Sequence, residues 1–347
     1  MKKYLPLIFF VLICSTFLIT SIIAILSYSN PNKQLDIPSN KVIIISAIED
    51  KLILSDFLKQ KNRYLPIEED FYKIEWVSPD LFNEYKNYPI ILMVKNEESE
   101  DSLLINVYDR VFKNRTDKSK VNLIENSFSD NQIILGFEVL DSVDLVTTLD
   151  GYSKAIDKID QKIENQILKK YMRIPQNDKL VDTIKKSYSI DMYIDHDYTI
   201  LKPLQNMLFL GRGKPQYGDP YRWMIFKEIK SCITLKECTE IIENTFNEAM
   251  SDSSSIKISE YNDSKTYKYI HKNNYIIGGT YTQWQFLKNE EGIYQNLPTA
   301  GGPYISYVLK QDRAKDLLVI GLVNDPGQDK MIYLKQFEAI FKNIKGE

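Results

Sequence analysis

The chain has 347 residues and a formal net charge of −3. Its 44% hydrophobic and 26% charged residues are ordinary for a globular protein, which excludes a wholly disordered chain. The basic residues form no continuous stripe, so we discount nucleic-acid binding.

An apolar segment at the start of the chain has the length of a membrane-spanning helix. Residues 5–27 are almost wholly apolar, and Lys2 and Lys3 precede them. A helix of about 20 apolar residues crosses a bilayer, and positive charges before it favour a cytoplasmic N-terminus. We therefore predict a signal anchor over residues 1–28 that leaves the rest of the chain on the extracytoplasmic, periplasmic side of the membrane.

Two other fates of this segment stay open. A signal peptidase would cleave near residues 27–29, whereas a lipoprotein pathway would attach lipid at Cys14. Residues 29–40 are polar, contain two prolines and are interpreted as a stalk. Its short length keeps the folded body close to the membrane.

The predicted N-terminal lobe, residues 41–172, mixes strands and helices. Continuous apolar runs rich in β-branched residues predict buried strands, and apolar residues three to four apart predict helices. In chain order we predict a strand at 42–48, a helix at 50–61, strands at 90–94 and 103–111, a strand pair at 122–124 and 133–139, and a helix at 144–171.

The predicted C-terminal lobe, residues 177–347, follows a break at Pro175. Thr234 and Glu237 have the spacing of a capping box that opens a helix. In chain order we predict a helix at 179–187, strands at 190–194, 207–210 and 221–229, a helix ending near 250, strands at 275–286, 304–309 and 317–323, and a terminal helix over 334–344.

The two predicted lobes share a weak pattern at a constant offset. Residues 134–137 (ILGF) correspond to residues 319–322 (VIGL), and both precede a predicted helix. We therefore predict an α+β fold of two lobes with mostly antiparallel or mixed sheets, and an internal duplication is a hypothesis that their strand orders test.

Two cysteines, Cys232 and Cys238, lie outside the apolar segment. Outside the cytoplasm they could form a disulfide, and two small packed thiols are the alternative. Two cysteines make neither a disulfide framework nor a metal site with the spacing of known zinc motifs.

The usual catalytic signatures are absent from the sequence. It contains no HExxH, GxSxG or GxxxxGK[ST] motif. His196, between Asp195 and Asp197, superficially resembles a metal ligand or an acid–base group, but its place directly after a predicted strand favours a solvated turn. We predict no cofactor and no metal, and we favour a non-enzymatic protein.

Aromatic, glycine and arginine residues of the C-terminal lobe make a candidate binding surface. Glycines beside strands mark bulges or close backbone approach, and the same glycines can also open the backbone to a ligand. Residues 211–214 (GRGK) are interpreted as a loop whose arginine could meet an anionic partner. The candidate residues are Trp284, Tyr281, Tyr304, Gly301, Gly302, Arg212 and Arg222.

Several segments resemble an uncharacterised envelope family of Bacteroidota, known as domain of unknown function 4837. The resemblance implies an exported cell-envelope protein, commonly a lipoprotein, with no established activity and no catalytic residues to carry over. The segments that carry it are residues 301–307 (GGPYISY), 325–327 (DPG), 329–330 (DK), 333–334 (YL), 338–340 (EAI), 185–190 (KKSYSI) and 132–134 (QII).

Together these observations predict a membrane-tethered envelope protein that binds a ligand or a protein, or takes part in an envelope assembly. The alternative is a hydrolase that acts on envelope glycan or lipid through carboxylates. A deep cleft with two facing carboxylates would favour that alternative.

Overall fold

The computed structural model describes residues 40–59, 69–70, 72–113, 119–151, 153–204, 206–214, 217, 219–250, 254–258, 266–288, 292–311, 315–325 and 327–346. The predicted anchor and all but the last residue of the predicted stalk lie outside these ranges. Within them, no helix combines the length and the apolar character that crossing a bilayer requires.

The first sheet has five strands and is mostly parallel. Its spatial order is β2-β1-β3-β5-β4, in which β4 runs antiparallel to β5 and the other neighbours pair in parallel. Strands β1, β3 and β5 are continuous apolar runs because helices cover both of their faces. The strands are β1 (Lys41–Ile45), β2 (Lys73–Trp76), β3 (Ile90–Asn96), β4 (Val121–Glu125) and β5 (Ile133–Val139).

Within the described ranges, five α-helices flank this sheet. The first, fourth and fifth pack on one face, and the second and third pack on the other. They are α1 (Lys51–Lys59), α2 (Phe82–Tyr85), α3 (Ser102–Val111), α4 (Ser142–Gly151) and α5 (Ser153–Tyr171).

The strand predicted at 103–111 is wrong, because these residues form α3. The Asp101 carboxylate accepts hydrogen bonds from the amides of Leu103 and Leu104 and so caps the helix. Leu104, Val107 and Tyr108 are buried at helical spacing. The apolar run therefore covers one side of a helix instead of both faces of a strand.

The second sheet is antiparallel and has eight strands. Seven follow the order β10-β12-β13-β14-β9-β8-β7, and β11 pairs with β12. A separate short pair joins β6 (Ile190–Asp191) to β15 (Lys345–Gly346). The strands of the large sheet are β7 (Thr199–Leu204), β8 (Met207–Lys214), β9 (Asp219–Ile229), β10 (Ser254–Ile258), β11 (Tyr267–His271), β12 (Asn274–Lys288), β13 (Tyr294–Leu309) and β14 (Asp316–Asn324).

Helices cover both faces of the second sheet, and alternate residues of each strand belong to two separate cores. Helix α7 (Leu235–Met250) packs on one face, while α6 (Asp178–Tyr188) and α8 (Met331–Lys342) pack on the other. The predicted capping box of α7 is present, since Glu237 N–H donates to Thr234 Oγ1 and Thr234 N–H donates to Glu237 Oε2.

The two sheets are joined through helices α5 and α8. Lys342 Nζ lies 2.6 Å from Glu164 Oε1 and 2.8 Å from Glu338 Oε1. Lys335 Nζ lies 2.9 Å from Glu338 Oε2. Met331, at the start of α8, packs into the core of the first sheet. The C-terminal helix therefore belongs to both halves of the folded body.

The hypothesis of an internal duplication is wrong. The first half carries a mostly parallel sheet, and the second half carries an antiparallel sheet with a different strand order. Strand direction follows from the connections: helices link the parallel strands of the first half, whereas hairpins link most strands of the second. The fold is mixed α+β, and the shared sequence pattern only records that each half ends in a buried strand and a helix.

Candidate functional site

A cavity of about 490 Å³ lies at one end of strands β7, β8 and β9, beside the turn that contains His196. Its size falls within the range of small-molecule sites. The wall combines aromatic, glycine and charged residues. The lining residues are His196, Asp197, Thr199, Leu201, Gly211, Arg212, Gly213, Lys214, Asp219, Tyr221 and Trp223.

Tyr221 and Trp223 form a flat aromatic wall in this cavity. They alternate along β9, so their side chains share one face of the sheet. Their ring centroids are 5.8 Å apart, and the ring planes differ by only 13°. Tyr221 remains 44% exposed, so the wall is accessible.

Two glycines of β8 lie beside this wall, and Gly211 provides the space for the indole. Gly211 is paired with Trp223, and a Cβ atom at Gly211 would lie 2.8 Å from the indole and 2.5 Å from Leu201. Gly213 has φ +118, which L-residues rarely adopt, and the ladder is irregular between Arg212 and Lys214. Residues 211–214, predicted to be a loop, are therefore the end of a strand with a bulge.

An ion-pair network forms the charged side of the cavity. Arg212 binds the fully buried carboxylate of Asp195 through Nη1. Its Nη2 lies 3.3 Å from Asp197 Oδ2 and 3.3 Å from Asp219 Oδ2. Burial alone would lower the pKa of Arg212, but Asp195 and Asp219 outweigh it and raise the pKa. The guanidinium is therefore held as a permanent cation among carboxylates.

Arg222 extends the network to helix α8. It lies directly opposite Arg212 on the adjacent strand, and Asp219 contacts both guanidinium groups. Arg222 Nη1 donates to Gln336 Oε1 at 3.2 Å, and the guanidinium carbon lies 5.0 Å from the centre of the Tyr333 ring. Both predicted arginines are therefore committed to partners within the protein.

Buried tyrosines surround the Asp195 carboxylate. The Tyr171 hydroxyl donates to Asp195, and the Arg212 guanidinium lies 5.8 Å from the centre of the Tyr198 ring. Burial raises the pKa of both phenols, so both remain neutral donors at physiological pH. These contacts fix the position of Asp195 and, through it, of Arg212, which forms the floor of the cavity.

Asp195, His196 and Asp197 bring potential metal-ligand atoms within 4.8 Å of one another. His196 Nε2 lies 3.2 Å from Asp197 Oδ1, and both side chains are half exposed. However, Arg212 contacts both carboxylates, so a guanidinium already supplies the positive charge that a metal ion would bring. The arrangement is better explained as an ion-pair network than as a metal site.

The predicted surface of aromatic residues and arginines divides between the two faces of the sheet. Tyr281 and Tyr304 are buried against Phe246 of α7 and belong to the core. Arg222 points to the opposite face, toward α8. They cannot form one surface. Tyr304 is in register with Trp223 through Leu322, and Arg222, the neighbour of Trp223 along β9, points to the opposite face.

The remaining residues of that predicted surface lie on the long β12–β13 hairpin. Gly302 is buried, and a Cβ atom there would lie 2.6 Å from the Val323 carbonyl oxygen. Gly301 is exposed, and Trp284 is half-buried with its Nε1 unpaired among the described residues. Close backbone approach therefore explains Gly302.

The aromatic wall was not predicted from the sequence. Its signal is the alternation Tyr221-Arg222-Trp223, which places two large rings on one side of a strand and a charge on the other. The sequence predicted a strand over all three residues, and only Arg222 among them was a candidate binding residue.

Cys232 and Cys238 are joined by a disulfide that closes the loop leading into α7. Both residues are buried, and they pack in the core beneath α7. Cys14, the candidate lipidation residue, lies outside the described residues.

No protein-family model and no curated protein matches this chain. Among solved structures, LpqN, involved in cell envelope biogenesis of Mycobacterium tuberculosis, is similar with TM-score 0.24 and 8% identity over 45% of this chain and 82% of LpqN. Human STARD10 has TM-score 0.21 and 6% identity over 49% of this chain and 81% of its own.

A STAR-related lipid transfer protein from Xanthomonas axonopodis has TM-score 0.19 and 11% identity over 42% of this chain and 97% of its own. Similarities this low do not establish a shared fold.

Proposed function

We propose that this protein is a membrane-tethered protein of the cell envelope that binds a glycan in the cavity beside Tyr221 and Trp223. The stacked rings of these two residues carry the proposal. A sugar ring presents a flat face of C–H groups that packs on an aromatic plane, while its hydroxyl groups remain at the edge for hydrogen bonding.

The polar rim of the cavity supports a polyhydroxylated ligand. His196, Asp197, Thr199 and Lys214 offer donors and acceptors around the aromatic wall. The charge of Arg212 is already balanced by Asp195 and its neighbours, so the floor does not select a strongly anionic ligand. A neutral or weakly charged sugar fits both the polar rim and the balanced charge of Arg212.

Two features of the sequence support the proposed location of the protein. The apolar N-terminal segment supports a membrane anchor, and the resemblance to the Bacteroidota family supports an extracytoplasmic, periplasmic body. Envelope glycans would then be the natural ligand class.

The geometry disfavours the alternative of a glycan hydrolase. Hydrolysis of a glycosidic bond requires two carboxyl groups that face each other across the substrate. Asp197 and Asp219 instead contact the same nitrogen atom of Arg212. We therefore favour binding without turnover.

The test titrates the full chain in nanodiscs with chitotriose, maltotriose and soluble peptidoglycan fragments, and follows tryptophan fluorescence. We expect at least one glycan to give a saturable change, and Tyr221→Ala to weaken its binding by at least tenfold. Tyr294→Ala is the matched control, because Tyr294 stacks on Phe286 at 5.7 Å on an exposed hairpin outside the cavity.

Two results would overturn the proposal. One is saturable binding of a fatty acid by a protein that binds none of the glycans. The other is hydrolysis of a glycan that is lost in Asp197→Asn, which would establish the enzymatic alternative.

A further inference from the structure

Strongly acidic loops lie at the carboxyl ends of the parallel strands β1, β3 and β5, far from the aromatic wall in the sequence. They are residues 46–50 (SAIED), 97–101 (EESED) and 140–144 (LDSVD), and we call them the acidic edge. Strand β1 lies between β2 and β3 in the sheet, so the chain continues to one side of β1 and then crosses to the other. The acidic edge therefore includes a topological switch point. Open α/β sheets usually bind their ligands at such points.

Hydrogen bonds join the three loops at Asp50. Asn96 Nδ2 donates to Asp50 Oδ1 at 3.3 Å, and Ser142 Oγ donates to the same oxygen at 3.1 Å. The amides of Glu97 and Glu98 donate to the carbonyls of Val139 and Leu140 at 2.9 and 3.2 Å. The loops therefore form one surface held by fixed contacts.

The three loops of this surface carry charge of one sign. Its loops contain Asp and Glu but neither Lys nor Arg, whereas the whole chain is nearly balanced at −3. Lys120 pairs with Asp144, and the Lys51 ammonium lies 5.5 Å from the centre of the Trp76 ring. Glu49, Glu97 and Glu98 are exposed. Such a field attracts a basic partner and repels anionic lipid headgroups.

Large apolar side chains border the carboxylates. Ile48 is 80% exposed, Leu52 is 72% exposed and Val143 is 76% exposed. Ile48 and Leu52 are two residues before and after Asp50, and Val143 follows Ser142, which binds Asp50. Exposed apolar residues grouped around a charged rim are typical of a protein interaction site.

The junction also contains an unsatisfied acceptor. Asp50 is fully buried, and its Oδ2 has no hydrogen-bond donor among the described residues. Burial raises the pKa of this carboxyl, against the lowering effect of Ser142 and Asn96. Buried acceptors without a donor are uncommon in proteins, so the point where the three loops meet is not a fully satisfied part of the core.

We infer that the acidic edge is a docking surface for a basic, amphipathic segment of a partner protein. Lysine or arginine side chains would meet Glu49, Glu97 and Glu98, and apolar side chains would cover Ile48, Leu52 and Val143. Like charge opposes pairing of this edge with the same edge of a second copy. Within the described part of the chain, its carboxylates are not grouped closely enough to hold a metal ion.

The test measures binding of two fluorescent peptides to the full chain in zwitterionic nanodiscs. One peptide is an amphipathic helix of leucine and lysine, and the other has glutamate in place of lysine. We expect the basic peptide to bind at least tenfold more tightly than the acidic one, with an affinity that falls as salt rises from 50 to 300 mM (Debye length roughly 14 to 6 Å).

Variants connect the binding to the surface. Glu97→Lys with Glu98→Lys should weaken basic-peptide binding at least tenfold, and Leu52→Ser with Val143→Ser should weaken it at least fivefold. The matched control, Asp182→Lys with Glu240→Lys, makes the same charge change at exposed positions elsewhere and should have no effect. Circular dichroism verifies that each variant is folded.

Three results would overturn the inference. The first is equal affinity for both peptides, and the second is an equal loss in the control variant. The third is self-association in analytical ultracentrifugation that the Leu52/Val143 variant abolishes, which would identify a second copy as the occupant. None of these results depends on whether the cavity binds a glycan.

Discussion

The indole of Trp223 lies over Gly211 on the neighbouring strand, 2.8 Å from the position that a Cβ atom of Gly211 would occupy. Because glycine has no side chain, the ring can lie flat beside Tyr221 instead of being pushed away from the sheet. The orientation of the aromatic wall therefore depends on Gly211, which has no side chain that could contact a ligand.

Replacing Gly211 with alanine should displace Trp223 and Leu201, because the new methyl group would lie within 2.8 Å of both side chains. We expect a loss of about 1–3 kcal/mol in unfolding free energy and a shift in tryptophan emission. Urea unfolding and fluorescence spectra measure these effects. Gly151→Ala is the control, since nothing lies within 4 Å of its Cβ position; an equal loss there would contradict the explanation.

Removing the Arg212 guanidinium should strongly destabilise the protein. Arg212→Met leaves the fully buried Asp195 carboxylate without its cation, which costs about 3–5 kcal/mol. The control is Lys315→Met, which breaks a 3.1 Å pair with Glu228 between exposed side chains and should cost at most about 1 kcal/mol. Chemical denaturation measures the loss of unfolding free energy in both variants. Losses that are small and similar would show that the ion-pair network does not stabilise the fold.

Stability should fall at acid pH through Glu338. Burial favours its neutral form, but Lys335 and Lys342 outweigh burial and lower the pKa of Glu338 to about 2 from its ordinary value of 4.5. A carboxyl with a lowered folded pKa stabilises the protein above its unfolded pKa. This contribution, about 3 kcal/mol, is lost as the pH falls from about 5 toward 2.

Glu338→Gln should therefore remove part of the acid dependence of the unfolding free energy. Thermal or urea unfolding between pH 5 and pH 2.5 measures the slope for both proteins. Glu228→Gln, at an exposed pair, should leave the slope unchanged. If Glu338→Gln has the same slope as the wild-type protein, other carboxyl groups cause the acid transition.

Reduction of the Cys232–Cys238 disulfide should lower stability moderately. The bond spans a sequence separation of 6. Chain-entropy arguments give about 2 kcal/mol for so short a loop. We expect Cys232→Ala with Cys238→Ala to match the reduced wild-type protein in urea unfolding. Thiol titration of the denatured, unreduced protein checks the bond. Cys14 contributes at most one free thiol, so two or more in an exported sample would contradict the bond.

Sequence patterns predicted most elements because the apolar periodicity and the caps are local. The capping box at Thr234 and Glu237 and the strand pair at 122–124 and 133–139 required only neighbouring residues. The strand predicted at residues 103–111 was wrong because a short apolar run fits a strand and a helix equally well. The N-cap at Asp101 favours the helix.

Strand order and the functional cavity required the tertiary structure. Tyr221, Trp223 and Gly211 belong to two strands whose register no local pattern sets. The acidic loops are separated by about 40 residues or more in the sequence, and the parallel sheet brings them together at Asp50.

The sequence by itself determined the apolar segment, the positions of most helices and strands, and the absence of known catalytic motifs. These properties depend on composition and on spacing along the chain. Only the tertiary structure decided that Tyr281 and Tyr304 are core residues, that Arg212 is neutralised by carboxylates, and that the rings of Tyr221 and Trp223 form a wall. The burial of these tyrosines and the partners of Arg212 depend on residues that are distant in the sequence. Strand register decides which of these residues meet.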